Sequence, residues 1–464
     1  MKYELLNTKV SIIGAQRSGI AAAILAAKHK AKVFLSDSGN PSLDSDVYEK
    51  LVELGVQTEF GMNSDKVLDC DLMILSPGVP LNAPVVIKAK EKGIPIFGEL
   101  EFASWFNKGK IIAITGTNGK TTTTALTYHL LKNAGYEAFV GGNIGEPFSK
   151  FVEKTTENSV SVLEVSSYQL DTIESFRPNV SVILNITPDH LYRYENDFQN
   201  YINSKFKITL NQNDNDLFIY NYDDEVIQKN IPKNGFQIKS FSTNEIKTDA
   251  FVLNNLICIR EYRVDEIPDS DEGYFRYEQI NAVIDTKDLL IKGIHNHYNS
   301  MAAILAARYF DCPFEEITKA LRSFHGVEHR LELVRKINGV LFINDSKATN
   351  VRSTYYALKS FSGNIILILG GRDEGNDYSE IQELVKERVK QIIAIGESQE
   401  KIFNYFNGLV PIKKFNNFEE AIKESFNSSV EGDIVLFSPA CKSFDWFLNF
   451  EHRGKAFKEI VSKL

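Results

Sequence analysis

Short apolar, β-branched runs recur along the chain, and most of them end in a glycine or a brief polar segment. Residues 10–13 form such a run, followed by a glycine-bearing turn at 14–19 and an alanine-rich stretch at 20–29, which reads as strand, turn and helix. Further strands are predicted at 32–35, ending at Ser36-Asp37-Ser38, at 72–75, ending at Ser76-Pro77-Gly78, and at 94–97, before Gly98. The rhythm restarts at 111–115, which runs into a glycine loop and a helix over 121–133, and continues with strands at 160–165 and 180–186. Residues 212–290 differ in character. Acidic, asparagine-rich turns at 211–216, 223–225 and 265–273 separate short strands at 217–220 and 251–259, which predicts an antiparallel patch. An alanine-rich helix at 298–310 leads to Pro313, and strands near 340–343, 365–369, 392–395 and 434–437 make a third unit. Strands alternating with helices indicate parallel α/β sheets, whose ligands sit at the carboxyl ends of the strands. The expectation is an α/β protein of three domains, over residues 1–98, 99–325 and 326–464.

Candidate chemistry gathers where these strands end. Gly116-Thr117-Asn118-Gly119-Lys120-Thr121-Thr122 joins a strand to a helix. Such a loop turns backbone N–H groups and the positive helix end toward a phosphate. Lys120 adds a cation for the β- and γ-phosphates, and Thr121 or Thr122 offers a hydroxyl to Mg²⁺. The longer phosphate-loop spacing would need glycine where Ile114 stands, so this is a compact variant that begins at Gly116. A bound nucleotide is expected. By contrast, Gly14 and Gly19 with Asp37 only partly imitate a dinucleotide fingerprint, because Gln16 occupies the place of the middle glycine.

Three further polar sites follow apolar strands: Glu164, Asp189-His190, and Asn143 in a glycine-rich segment. If their strands flank the phosphate-loop strand, Glu164 becomes a magnesium ligand, and His190 a ligand or phosphate donor. Taken singly, a glutamate there also serves as a helix cap and a histidine as a turn residue. Arg330, Asp345 and Lys347 lie in the third unit, where a second phosphate-steering group would allow closure around ATP.

Length and composition narrow the class. At 464 residues the chain exceeds one ordinary core, and 43% hydrophobic with 24% charged residues is globular. A formal charge of −9 argues against a general nucleic-acid binder. Cys70, Cys258, Cys312 and Cys441 show no C-x-x-C spacing, so structural zinc and a disulfide framework are not expected and a reducing compartment is. Neither a secretory signal nor a membrane-length apolar run is present, so a cytoplasmic location without membrane insertion is the expectation.

Nine segments together resemble the Mur ligases, ATP-dependent amide-forming enzymes of peptidoglycan precursor synthesis. They are GTNGKTT at 116–122, GGNIGEP at 141–147, LEVSSYQL at 163–170, NITPDH at 185–190, HNHYNSMAA at 295–303, HRLE at 329–332, NDSKATN at 344–350, LGGRDEGND at 369–377 and SPACKSFDWFLNFEHRG at 438–454. Within the family, LEVSSYQL, NDSKATN and the final segment look like the branch that adds D-glutamate to UDP-N-acetylmuramoyl-L-alanine. The resemblance implies a Rossmann-like first domain, a central P-loop ATPase-like domain carrying the antiparallel patch, and a Rossmann-like third domain. It implies ATP on Gly116, Thr117, Asn118, Gly119, Lys120, Thr121 and Thr122, with Asn296, Asn299, Arg330 and Asp345 holding adenine, ribose and γ-phosphate. One magnesium would sit on Thr121 and Glu164, and a second on His190 and a carbamylated Lys205. The uridine nucleotide would meet Arg17, Ser18, Asp37, Ser38, Ser76 and Gly78, with Asn143 at its diphosphate. D-glutamate would meet Lys347, Thr349, Ser443, Phe444 and Phe450. The implied catalytic set is Lys120, Glu164, His190, Lys205 and Lys347, in a monomer that binds no nucleic acid.

Two positions depart from the family pattern. Tyr192 stands where D-H-x-D-R has its second acid, and Glu374 where the D-glutamate branch commonly has lysine. A glutamate cannot pair with a carboxylate substrate. Either Arg372 or Lys442 supplies the charge, or the accepted amino acid differs, as in another Mur-type or folylpolyglutamate-type ligase. Outside the class, the competing reading is a nucleotide-binding regulator that makes no amide.

Overall fold

The computed structural model describes residues 4–41, 43–189, 191–233, 235–266 and 274–464. The chain divides into two compact units, Met1–Leu289 with Ile294–Phe324, and Leu290–Gly293 with His325–Leu464. Among the described residues the strands form three sheets of five, nine and six strands.

The first sheet comprises β1 (Lys9–Ile13), β2 (Lys32–Asp37), β3 (Gln57–Phe60), β4 (Leu72–Leu75) and β5 (Ile96–Gly98), in the order β3-β2-β1-β4-β5. All its pairings are parallel. The order reverses between β1 and β4, the crevice where doubly wound sheets bind ligands. The second sheet comprises β6 (Lys110–Thr115), β7 (Ala138–Gly142), β8 (Val160–Glu164), β9 (Val180–Ile183), β10 (Leu217–Asn221), β11 (Gln237–Ser242), β12 (Ala250–Leu253), β13 (Leu256–Glu266) and β14 (Tyr274–Asp285). Its order is β14-β13-β12-β11-β10-β9-β6-β8-β7, so β6 lies between β8 and β9.

The expected antiparallel patch is smaller than the sequence pattern indicates. Residues 217–220 belong to β10, which pairs in parallel with both β9 and β11. Among the described residues of this sheet, only the β12–β13 and β13–β14 pairings are antiparallel. The run at 251–259 is two strands, split by Asn254 and Asn255 at φ 49° and 65°. Asparagine tolerates the two left-handed positions of a tight hairpin turn, which is why polarity alone did not mark the break. The predicted turn at 265–273 lies largely outside the described residues.

The third sheet, in the second unit, comprises β15 (Glu332–Ile337), β16 (Val340–Asn344), β17 (Ile365–Gly370), β18 (Val389–Ile395), β19 (Ile412–Phe415) and β20 (Ile434–Phe437), ordered β15-β16-β20-β17-β18-β19. Alternate residues of β17 enter opposite cores, Leu367 and Leu369 on one face and Ile366 and Ile368 on the other. Burial on both faces explains the continuous apolar runs of such strands.

Within the first unit one apolar cluster continues from Val10, Ile12 and Ile74 of the first sheet to Ala113, Leu163 and Ile183 of the second. Phe102 and Phe148 belong to the same cluster and are fully buried. No helix among the described residues is long and apolar enough to cross a membrane.

Two carboxylates on the helix Glu99–Ser104 tie the chain after β5 to the second sheet. Glu99 accepts the Ser149 N–H and hydroxyl, both at 2.7 Å. Glu101 accepts the N–H groups of Glu174, Ser175 and Phe176 at 2.8–3.0 Å, the Trp105 indole N–H at 2.9 Å, and the Ser175 hydroxyl. A carboxylate suits this cluster because it only accepts, whereas an amide of the same shape would aim its NH₂ at other donors. Glu101→Gln should therefore destabilise the protein by about 3 kcal/mol, since buried donors lose their partner. In urea unfolding the first transition should move to lower denaturant at constant slope, and an unmoved midpoint would show that the carboxylate charge is dispensable.

Candidate active site

β6 ends at Thr115, and the helix Lys120–Asn133 begins four residues after Gly116. Two glycines make that tight passage possible. Gly119, at φ 86°, caps the helix in a left-handed conformation, and a β-carbon there would lie 2.5 Å from Asn299 Oδ1. The loop is laced to the segment after β9. Asn118 N–H donates to Asn185 Oδ1 at 2.8 Å, and Asn185 Nδ2 returns a bond to the Asn118 carbonyl at 3.0 Å. The Thr117 hydroxyl donates to the Thr187 carbonyl at 3.1 Å and lies 3.2 Å from the Tyr201 hydroxyl. With its shape held this way, the first-turn N–H groups of the helix face the loop mouth, an arrangement that favours phosphate.

The side chains expected from the second domain meet at this mouth. Thr121 Oγ1 donates to Glu164 Oε2 at 2.8 Å, and Asn143 Nδ2 donates to Glu164 Oε1 at 3.1 Å. Thr121 and Glu164 are both buried. The parallel register places Glu164 beside Ile114 on β6 and Gly142 on β7, so the glutamate at the end of β8 must project next to the loop. Thr123 Oγ1 donates to Asn299 Oδ1 at 3.1 Å, and Asn299 Nδ2 to Asn296 Oδ1 at 3.0 Å, so these two buried asparagines brace the helix start. His190 lies outside the described residues.

Lys120 Nζ donates to the Gly116 and Thr117 carbonyls at 2.9 and 2.8 Å. Lys205, on the helix Phe198–Phe206, reaches the same Gly116 carbonyl at 3.0 Å and lies 4.6 Å from the Tyr201 ring centre. It is 1% exposed. Burial first, and then the Lys120 charge, hold the Lys205 amine well below the usual lysine range, against an opposing pull from Asp189. Thr121 and Glu164 present the hard oxygen ligands magnesium takes. Among the described residues no group of three or more His, Cys, Asp or Glu could hold a metal by itself.

At the first sheet, β1, β2 and β4 bring their ends together. Gly14 N–H donates to the Ser36 carbonyl at 2.8 Å and Ser76 N–H to the Ile13 carbonyl at 2.9 Å. A β-carbon on Gly14 would sit 2.8 Å from the Ser76 β-carbon. Arg17 and Ser18 open the helix Arg17–Lys28 at this edge, and Arg17, Ser38 and Gly78 are exposed. Asp37 already accepts the Ala15 and Gly39 N–H groups, at 2.7 and 2.8 Å, so its carboxylate shapes the turn. Beside Ser76 opens a cavity of about 420 Å³, lined also by Pro77, Glu99, Tyr168, Gln169 and Arg193. Arg193 donates to the Pro77 and Gly78 carbonyls at 3.3 and 2.9 Å and stacks 4.0 Å from the Tyr168 ring centre. Arg193, Tyr168 and Asn185 lie in or beside family motifs, but their partners are distant in sequence, so sequence alone gives them no role. Tyr192, in place of the family's acid, is 73% exposed.

The second unit gathers its own polar set. Asp345 accepts the Ser438 hydroxyl at 2.7 Å and the Leu331 N–H at 3.2 Å. Burial pushes the Asp345 carboxyl up to about 6, against the pull of the Arg330 charge and those two donors. Arg330 lies between two non-glycine residues of positive φ, His329 at 64° and Leu331 at 45°. Its Nε has no hydrogen-bond partner among the described residues. Backbone strain of this kind tends to cluster at ligand sites. Lys347 Nζ lies 5.7 Å from the Phe450 ring centre, Thr349 is half-buried, Ser443 is buried and Phe444 is exposed. A buried guanidinium that the sequence pattern does not single out, Arg453, ties these loops together. It donates to the Ser346 hydroxyl and carbonyl at 3.0 and 2.7 Å and to the Cys441 and Lys442 carbonyls at 3.1 and 3.2 Å. Glu374 Oε2 lies 3.9 Å from Lys442 Nζ, while Arg372 is engaged with Glu397 at 2.9 Å.

Comparison with known proteins matches three family descriptions: MurD N-terminal domain over residues 9–85, Mur ligase middle domain over 114–307, and Mur ligase, glutamate ligase domain over 329–441. Among similar proteins are the UDP-N-acetylmuramoylalanine--D-glutamate ligases of Chloroherpeton thalassium, 43% identical over 99% of both chains, and of Christiangramia forsetii, 42% identical over 99% of this chain and 100% of its own. Two solved structures from Thermotoga maritima share the fold: a UDP-N-acetylmuramate-alanine ligase, with 20% identity, TM-score 0.61 and coverage of 98% and 99%, and a MurF ligase in complex with ADP, with 17% identity, TM-score 0.57 and coverage of 99% of each. With identity of this order extending over nearly its whole length, the chain belongs to the Mur ligase family.

Proposed function

We propose that the chain is an ATP-dependent ligase that joins D-glutamate to UDP-N-acetylmuramoyl-L-alanine in peptidoglycan precursor synthesis, with release of ADP and phosphate. The observation that carries this reading is the convergence of Lys120 and Lys205 on the Gly116 carbonyl, beside the Thr121–Glu164 pair. That arrangement brings the Lys120 charge, a lysine open to carbamylation and oxygen ligands to where a triphosphate would lie, as phosphoryl transfer demands. The names of the relatives, D-glutamate ligases over almost their full length, support the choice of substrates.

In this reading residues 1–98 bind the uridine nucleotide, 99–325 bind ATP and 326–464 bind the amino acid. The substrate's alanine carboxylate attacks the γ-phosphorus of ATP, forming an acyl phosphate and ADP. The amine of D-glutamate then attacks the acyl carbon, and phosphate leaves. Gly116, Thr117, Asn118, Gly119 and Thr122 cradle the phosphates, and Lys120 offsets charge that builds on the transferred group. Asn296 and Asn299 hold the helix start that carries the cradle, and Arg330 and Asp345 serve the nucleotide. Magnesium, held by Thr121 with Glu164 and by His190 with a carbamylated Lys205, would supply charge to the phosphate oxygens. Lys205 suits carbamylation because its amine, held low by burial, is neutral over a wider range and can capture CO₂. Arg17, Ser18, Ser38, Ser76, Gly78 and Asn143 bind the uridine nucleotide on a turn shaped by Asp37. Lys347, Thr349, Ser443, Phe444 and Phe450 orient the amino acid. The protein acts as a monomer in the cytoplasm, in keeping with four unpaired thiols.

Incubation with ATP, Mg²⁺, UDP-N-acetylmuramoyl-L-alanine and D-glutamate should yield a product heavier by one glutamyl residue. Addition of a different amino acid in its place would refute the assigned substrate, and absence of phosphate release with every acceptor would point to a regulator. Lys120→Ala and Glu164→Gln should each lower kcat by about a hundredfold or more, since each removes charge or ligation aimed at the transition state. Wild-type activity should fall in CO₂-stripped buffer and return with bicarbonate, whereas Lys205→Arg should stay inactive in both. The rescue should fade as pH drops through the depressed range of the Lys205 amine, because the protonated amine cannot capture CO₂. Rescue that persists unchanged at the lowest pH would contradict the carbamate.

A further inference from the structure

An amino acid with two carboxylates brings two negative charges to its site, and each needs a cation or several donors once water is displaced. Glu374 cannot meet that need. The cations around the segments 369–377 and 438–454 are largely committed. Arg372 makes two bonds to Glu397, at 3.1 and 2.9 Å. Lys401 lies 2.8 Å from Asp373 and donates to the Asn376 carbonyl at 2.9 Å. Arg453 is buried and donates to Ser346 and to the carbonyls of Cys441 and Lys442.

Lys442 differs from these. Its ammonium faces Glu374 at 3.9 Å, the outer limit of an ion pair, with the two side chains 36% and 64% exposed. Such a pair is weak and easily exchanged for another anion. Its backbone, in contrast, is fixed. An antiparallel bridge pairs it with Arg372 through bonds of 2.9 and 3.1 Å, and its carbonyl accepts from Arg453. The residue that follows, Ser443, is buried. Arg453 also binds Ser346, the neighbour of Lys347, so one guanidinium sets the loops of both lysines.

We propose that Lys442 receives the side-chain carboxylate of the incoming amino acid, an inference that rests on the reading of the chain as a D-glutamate ligase. The lysine stands across the bridge from the glycine-rich segment, and Glu374 is the partner it gives up. On binding, the lysine head leaves Glu374 for the substrate while its backbone stays in place.

Initial rates with the full-length protein test this. Lys442→Ala should raise KM for D-glutamate about tenfold or more while KM for ATP stays within about twofold, the effect of losing one charge-assisted contact. Lys442→Arg should retain most of the affinity, and Glu374→Lys placed on the Lys442→Ala background should restore it. Melting temperatures near that of the wild type would confirm that each variant is folded. If folded Lys442→Ala keeps the wild-type KM for D-glutamate, or raises KM for ATP equally, the assignment to Lys442 is wrong while the ligase reading stands. If the wild type adds only amino acids with a single carboxylate, the substrate reading fails and this inference falls with it.

Discussion

Two lysine amines, those of Lys120 and Lys205, share one acceptor, the carbonyl oxygen of Gly116. Burial and the Lys120 charge both disfavour a second charge on Lys205, and nothing local would bring the two amines together. Lys120 is placed by the strand-to-helix passage at the end of β6. Lys205 arrives from a helix anchored by its own cap at Asp197 and by the Ser204 hydroxyl on the Ser167 carbonyl. The surrounding architecture imposes the encounter. The depressed Lys205 amine follows from it, and Asn118, Asn185 and Thr117 brace the loop that carries the shared carbonyl.

The second compact unit buries ionisable groups of both signs. Burial raises the Asp345 carboxyl to about 6 and lowers the Arg453 guanidinium to about 10. Both groups are desolvated and both are tied to the same short loops. Non-glycine residues with positive φ, His329, Leu331 and Ala440, cluster in these loops. A fold spends stability on such features only where the rest of the structure determines them, and ligand sites are where they accumulate. Arg453 makes the arrangement rigid, because a planar guanidinium with five donors can satisfy two loops at once.

Central strands were legible because sheets covered on both faces need unbroken apolar runs, as β6, β8, β17 and β20 show. The sequence pattern lacks β3, β7, β11, β14, β15 and β19, of which all but β11 are sheet edges, and β3, β15 and β19 carry charged or half-exposed residues. An edge strand draws its order from a neighbour's hydrogen bonds rather than from its own apolar residues, so pattern cannot reveal it. The hairpin at Asn254-Asn255 was hidden for a related reason, since the run on either side stays apolar.

Sequence by itself determined the α/β class, the strand-loop-helix at Gly116–Thr122, and the residue types fit for phosphate and magnesium. These depend on local backbone geometry and on side-chain chemistry, which neighbouring residues carry with them. Tertiary structure alone decided that Glu164 meets Thr121, that Lys205 meets Gly116, that Asp37 shapes its turn through two backbone N–H groups, and that Arg453 joins two loops. Each of those depends on strand order and on a partner far along the chain. Burial, which draws the Lys205 amine down and pushes the Asp345 carboxyl up, exists only once those partners have closed around them.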